Sequence, residues 1–200
     1  MKNSDHTPPP ELKNYDEAHK KHPWLTAPAI DKRVNQIFNS DATFSVKRKR
    51  IIQIVDQVNE ALAPHVACKS GCSHCCHIAL VITENEAQAI SKFVGVPYAD
   101  LGQPDPDEIG KGTAAYRGVV CPFLLEHKCS IYSVRPVACR AHHSLNDDAV
   151  QCDLSTPSDE SSVPKFNLKS SEFGLAFISI RLKESMGDIR DFFPVNTLQK

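Results

Sequence analysis

Cys68-Lys69-Ser70-Gly71-Cys72-Ser73-His74-Cys75-Cys76-His77 is the stretch around which the rest of the chain is organised. Four thiols fall within nine residues, separated by lysine, serine and glycine, a composition unsuited to filling a hydrophobic core. Gaps of two or three residues let one loop aim successive sulfurs at a common centre, about 2.3 Å away for a metal–thiolate bond. Gly71 gives the backbone freedom for the turn, and backbone N–H groups in such a loop stabilise the charge on sulfur. Cys75 and Cys76 are adjacent, and placing both on one ion strains the backbone. One of them therefore bridges, binds a second ion or serves as a redox partner.

A second group follows: Cys121-Pro122-Phe123-Leu124, then Cys129-Ser130-Ile131-Tyr132, Arg135-Pro136 and Cys139-Arg140. Neither group gives a comfortable four-ligand set alone, so the two are expected to converge on one site. The candidate ligands are Cys68, Cys72, Cys75, Cys76, Cys121, Cys129 and Cys139. Arg135 and Arg140 are expected to offset the negative charge of gathered thiolates. Cys152 lies in a polar segment and reads as a bystander. His65, His74 and His77 flank the first group, and His142 and His143 follow the last cysteine. Such residues are more often polar surface than ligands.

The pairing Cys68-x3-Cys72-x2-Cys75-Cys76 with Cys121-Pro-Phe-Leu, Cys129-Ser-Ile-Tyr132, Arg135-Pro136 and Cys139-Arg140 closely resembles the YkgJ-like cysteine-cluster family, a CxxCxxCC-type group described as chelating zinc or iron. A related cysteine segment occurs in flagellin lysine methylases. The resemblance runs from about Cys68 to Arg140 and implies metal or iron–sulfur binding. One departure is visible: an aromatic often follows shortly after the final Cys-Arg, whereas here Ala141-His142-His143 follows.

Composition sets the frame for this site. Two hundred residues, 41% hydrophobic and 24% charged, suit one domain with a real core. A net charge of −1 gives no global attraction for nucleic acid or an anionic membrane. The Lys47-Arg48-Lys49-Arg50 run reads as a solvated helix face rather than a phosphate contact. Residues 1–27 are expected to be a disordered polar tail without an export-type apolar segment, and 173–180 is too short an apolar run to span a bilayer. A cytoplasmic location is the expectation. Eight cysteines in a reducing compartment point to metal or redox chemistry rather than disulfides.

Periodicity predicts a mainly α fold: a single small helical domain over 28–200, with a short β-hairpin and cysteine-rich metal-binding loops over about 68–140. Ile30, Val34, Ile37 and Phe38 share one helical face; Ile51, Ile54, Val55, Val58 and Leu62 form a second stripe ending before Pro64. Thr83-Glu84-Asn85-Glu86 is a capping box, with Ile82 placed to pack on Ala87 and Gly95 as the stop. Residues 97–118 read as loop. Residues 119–125 and 129–132 read as two β arms joined at Glu126-His127-Lys128, and Pro136 opens a short helix carrying Cys139. Residues 146–170 read as a surface loop. The last helix is expected to bury Phe173, Ala176, Phe177 and Ile180, before a final turn with Ile189, Phe192 and Phe193.

Seven thiols exceed the four ligands of one zinc, which favours an iron–sulfur cluster or two metals over a single zinc or iron ion. The spacing Cys68-x3-Cys72-x2-Cys75 also occurs in radical-SAM cluster loops, but the chain beyond Cys76 is too short and too helical for the barrel such enzymes need. Three roles follow: a metal or iron–sulfur protein in redox sensing or metal handling, an enzyme acting on a substrate such as a protein side chain, or an interaction module held by a structural zinc. The expected partners are the metal ion or cluster and, in the last two roles, another protein. Membrane is excluded and nucleic acid disfavoured.

Overall fold

The computed structural model describes residues 13–69, 71–102, 115–155, 163 and 165–194. The chain is mainly helical, with two small antiparallel strand pairs. Three long helices build the larger core. α2 (Ala27–Phe38) opens with the Thr26 hydroxyl accepting from the Ala29 N–H, and α3 (Phe44–Leu62) opens in the same way with Thr43 and Val46. Both are hydroxyl N-caps satisfying otherwise orphaned backbone donors. The predicted stripe Ile51, Ile54, Val55, Val58 and Leu62 of α3 is buried. It packs with Ile30 and Val34 of α2 and with Leu175 and Ile178 of α6 (Lys169–Leu182) in one hydrophobic cluster.

The expected polar tail ends earlier than the sequence suggested. Residues 13–21 form a helix, α1 (Lys13–Lys21), and Ala18 and Leu25 are fully buried in the larger core. The Tyr15 hydroxyl donates to the Leu25 carbonyl at 2.9 Å. A polar composition hid one apolar edge that only the core could reveal; residues 1–12 lie outside the described residues.

The last helix turns its other face inward. Ser171, Gly174, Leu175, Ile178 and Ser179 are buried, while Phe173, Phe177 and Ile180 are exposed. The reason is close approach: a Cβ at Gly174 would stand 2.6 Å from the Phe38 ring. Small residues let α6 settle against α2 and α3, and hydrophobicity all round the helix had left its orientation undecided. The Lys47–Arg50 run is divided in the same contact. Arg48 is buried, donates to Ser179 and pairs with Glu184 at 2.5 Å, and the Lys47 ammonium donates to the Phe38 carbonyl.

A second, smaller core gathers Ile82, Ala87, Ile90, Phe123, Ile131, Ile189, Phe192 and Phe193. The capping box at Thr83 and Glu86 opens α4 (Glu84–Val94), closed by Gly95 in the left-handed conformation. β1 (Val81–Thr83) pairs with β4 (Met186–Asp188), Ile82 facing Gly187. That long-range pairing has no sequence signature, since three residues are too few for a readable alternation.

The hairpin is shorter than predicted. β2 (Leu124–Leu125) and β3 (Lys128–Cys129) meet across a two-residue turn at Glu126 and His127, both with positive φ. Pro122 has no N–H to give a ladder, and the Cys121 N–H is bonded elsewhere, so the first arm ends there. Tyr132 begins a 3-10 turn instead of extending the second arm. α5 (Val137–Ala141) follows Pro136 as expected, and α7 (Ile189–Phe192) is the predicted final turn. Within the stretch read as surface loop, Phe166 and Leu168 are buried in the larger core. Part of the segment read as loop over 97–118 falls outside the described residues. Among the described residues no helix is long and apolar enough to cross a membrane.

Candidate metal centre

Four separate stretches deliver the cysteines to one place. Cys68 follows a 3-10 turn (Ala63–His65), and the Ser144 N–H donates to its sulfur at 3.4 Å. The loop then reverses through Gly71, whose φ of 92° is open to glycine alone at little cost, with the Cys72 N–H bonded to the Lys69 carbonyl. A second 3-10 turn (His74–His77) carries Cys75 and Cys76. The Cys76 carbonyl accepts from the Cys121 N–H at 2.7 Å, tying the first cysteine loop directly to the second. The hairpin register sets Cys129 opposite Leu124, three residues beyond Cys121. Cys139 rides on α5, whose first N–H, that of Val137, is capped by the Glu86 carboxylate at 2.8 Å. Glu86 therefore serves both its own capping box and the helix bearing Cys139.

The result is a cavity of about 430 Å³ at the seam between the two cores, walled by Cys68, Cys72, Cys75, Cys76, Cys121, Cys129 and Cys139 together. Val137 and Ala141 of α5 belong to the larger core, whereas Cys121 and Cys129 pack against the smaller one. All seven residues are partly exposed, so the cavity is reachable from solvent. The thiols line this space without closing on a point: among the described residues no three His, Cys, Asp or Glu side chains stand in metal-binding geometry. A cysteine sulfur is repositioned by rotation about a single bond, so a shared wall of thiols is compatible with closure around a cation.

The electrostatics fit a cationic guest. Burial pushes the Cys121 thiol up to about 11 and raises Cys139 well above its ordinary value, with Cys129 and Cys68 raised for the same reason. Neighbouring thiolates add to the rise at each of these four. Cys75 moves the other way, down to about 7, because the Cys76 thiol donates to it and Arg135 lies near; Cys76 is raised correspondingly. Crowded, desolvated thiols resist ionising together unless a positive charge is placed among them. A soft divalent cation or an iron–sulfur cluster supplies that charge, and the donor set is of the soft type both require.

Arg135 meets its expected position, lining the cavity with its guanidinium 4.2 Å over the Tyr132 ring. Arg140 does not face the thiols. It pairs with Asp56 and donates from Nε to the Arg135 carbonyl at 2.8 Å, so it braces the chain that presents Arg135. Of the histidines, His142 lines the cavity, with the Lys165 ammonium 3.1 Å from its Nδ1, and burial pushes it down to about 4. His143 points into the larger core, where its Nε2 accepts from the Phe166 N–H at 3.1 Å. His65 is buried beside Glu17, and His74 and His77 stand outside the cavity wall.

One participant escaped the sequence reading. Arg190, 4% exposed, donates to the Cys76, Ile78, Val119 and Val120 carbonyls and to the Asp188 carboxylate. It clamps both cysteine loops by their backbones. The only signal was a charged pair, Asp188 and Arg190, inside an apolar run. Cys152, read from the sequence as a bystander, is not among the residues of the cavity wall. It hydrogen-bonds the Ser144 side chain and lies near enough to Cys72 and Cys75 for their charges to raise it, although burial is the larger cause.

The site is thus a thiol-lined, solvent-reachable cavity with two guanidiniums in its wall, built on a small, mainly helical fold. Residues 67–156 match the model of the family described as CxxCxxCC, putative zinc- or iron-chelating domain. The matched range contains all eight cysteines. No curated protein and no solved structure matches the chain.

Proposed function

We propose that the protein carries an iron–sulfur cluster or a thiolate-bound iron or zinc centre in this cavity and acts in redox chemistry or metal handling. The carrying observation is the convergence of seven cysteines, from segments separated by up to 71 positions (68 to 139), on one cavity. Cys68, Cys72, Cys75, Cys76, Cys121, Cys129 and Cys139 are the residues that would hold it, with Arg135 beside the thiolates to offset their charge. Bound there, the group supplies either electron transfer or Lewis acidity. Partial exposure of every cysteine favours a working centre over a purely structural zinc, since structural sites are usually closed. Iron is preferred because seven thiols exceed one zinc's four.

Anaerobic purification followed by elemental analysis and a visible spectrum tests the proposal. A brown protein with iron and acid-labile sulfide supports the cluster reading. A colourless protein holding zinc alone redirects it to a zinc-stabilised interaction module, and a protein devoid of zinc and iron ends it.

A further inference from the structure

The cavity is larger than a metal centre needs. A metal ion with its sulfurs about 2.3 Å away fills a small part of 430 Å³, and that volume lies in the range of about 300–1,000 Å³ in which proteins hold small molecules. Two kinds of surface dominate its wall: the seven thiols, and an apolar part formed by Ile78, Leu80, Ile131, Ile189 and the Tyr132 ring. The charged residues of the wall are Lys69, Lys128, Arg135 and Arg190, with no Asp or Glu among the lining residues, in a chain whose acids and bases nearly balance. Arg190 is fully engaged, its donors going to four backbone carbonyls and to Asp188. Arg135 is not. Its guanidinium stacks 4.2 Å over the Tyr132 ring and its carbonyl is held by the Arg140 Nε–H, yet among the described residues the guanidinium bonds no oxygen or sulfur. Glu60 lines a smaller cavity that Arg135 also borders, and the two make no ion pair. Lys69 and Lys128 are exposed and likewise have no ion pair among the described residues.

The geometry points to a binding site in this cavity for a small organic carboxylate with an apolar body, its carboxylate forked by the Arg135 guanidinium and its body against Ile78, Leu80, Ile131 and Ile189. This deepens the metal-centre reading and rests on it. A planar guanidinium presents paired N–H donors that match the two oxygens of a carboxylate. Stacking on Tyr132 engages the face of the guanidinium and leaves its edge donors for a ligand. The charge suits one such anion. Three unpaired cations, a divalent ion and four thiolates leave the cavity one positive charge in excess, which a single carboxylate cancels. A phosphate dianion fits less well, because its remaining oxygens would lie against isoleucines and leucine without donors, and burying unpaired polar atoms is costly.

The test is isothermal titration calorimetry of benzoate into the full chain, reconstituted anaerobically with zinc or with iron and sulfide, its metal content measured beforehand. Benzoate should bind once per chain. Benzamide, its uncharged isostere, acetate, which lacks the apolar body, and inorganic phosphate should each bind at least about tenfold more weakly. Arg135→Lys keeps the charge and loses the fork, and should weaken benzoate at least about tenfold while metal content and far-ultraviolet circular dichroism stay unchanged. Tyr132→Ala removes the exposed ring that holds the guanidinium and should weaken benzoate several-fold, so the anchor is tested even where Arg135→Lys sheds metal. A metal-loaded chain that binds no benzoate, that binds benzamide or phosphate equally well, or whose Arg135→Lys and Tyr132→Ala forms bind benzoate unchanged, overturns the carboxylate site and leaves the metal centre standing. A chain that takes up neither zinc nor iron overturns both.

Discussion

At Arg190 and Arg135 two similar side chains near one cavity do different work. The Arg190 guanidinium neutralises Asp188, which is fully buried, and ties the backbones at Cys76 and Val119 together. Removing one partner of a buried pair leaves the other charged and unpaired, at a cost of about 3–5 kcal/mol. Arg190→Gln should therefore lower the stability of the metal-free chain by that order in urea titration. Arg135 is stacked on exposed Tyr132 and touches the thiolates' field rather than the core. Arg135→Gln should leave the urea midpoint of the metal-free chain nearly unchanged and weaken metal retention, read in a chelator competition. Equal effects of the two substitutions on the metal-free chain would refute this division. His143 gives a third residue-scale expectation. Burial holds it neutral and pushes it down to about 4, below the 6.5 of an unfolded histidine. Below pH 6.5 the unfolded chain binds a proton that the folded chain refuses, so this stabilisation is complete above pH 6.5 and is lost as pH falls toward 4. A difference of that size is on the order of 3 kcal/mol. The acid-side slope of stability between pH 6.5 and 4 should flatten in His143→Gln, a change visible in urea titrations across that range.

Among the elements, α6 and the hairpin show where local chemistry and packing disagree. α6 buries its small residues and leaves Phe173 71% exposed, because Gly174 brings the helix against Phe38 and Ile51. Gly174→Val inserts a branched side chain where even a Cβ meets the Phe38 ring. It should cost about 1–3 kcal/mol despite the loss of a helix glycine, which by itself favours stability by up to about 1 kcal/mol. Phe173→Ser on the exposed face should change the melting temperature little. Reversal of that order would restore the orientation expected from the sequence. In the hairpin, Glu126 and His127 hold φ of 47° and 61° in a turn that asparagine and glycine adopt with less strain. His127→Gly should raise stability by roughly 0.5–1 kcal/mol, a rise in thermal midpoint without any change in metal content. The same substitution leaves the Leu124–Cys129 register intact, so a fall in metal binding would contradict this account.

For the molecule as a whole, the cavity lies where two hydrophobic cores meet, and the first cysteine loop contributes little to either. Between Gly71 and Leu80 no residue is buried among those described. That loop is held by turn hydrogen bonds, by Arg190 and by whatever its thiols bind. Binding energy at such a site is folding energy. Chelation under reducing conditions should lower the melting temperature and raise amide exchange in 71–80 and 119–130, while α3 keeps its protection. Uniform loss of protection across both cores would show that the centre nucleates the whole fold, and no change anywhere would show that the loop stands without metal.

The sequence by itself determined the chemistry and the long helices. Cysteine spacing set the thiolate character of the site, and the stripe Ile51 to Leu62, the Thr83–Glu86 capping box and the Pro136 helix start are local patterns whose causes lie within a few residues of one another. Tertiary structure alone decided which face α6 buries, that residues 13–21 are helical, that β1 pairs with β4, and that Arg190 joins the site while Arg140 turns away to Asp56. Each of these depends on partners far along the chain: Gly174 on Phe38, Ala18 on the larger core, and Arg190 on the carbonyls of Cys76 and Val119. Steric fit, burial and charge pairing act through space, and a pattern of neighbours along the chain holds no record of them.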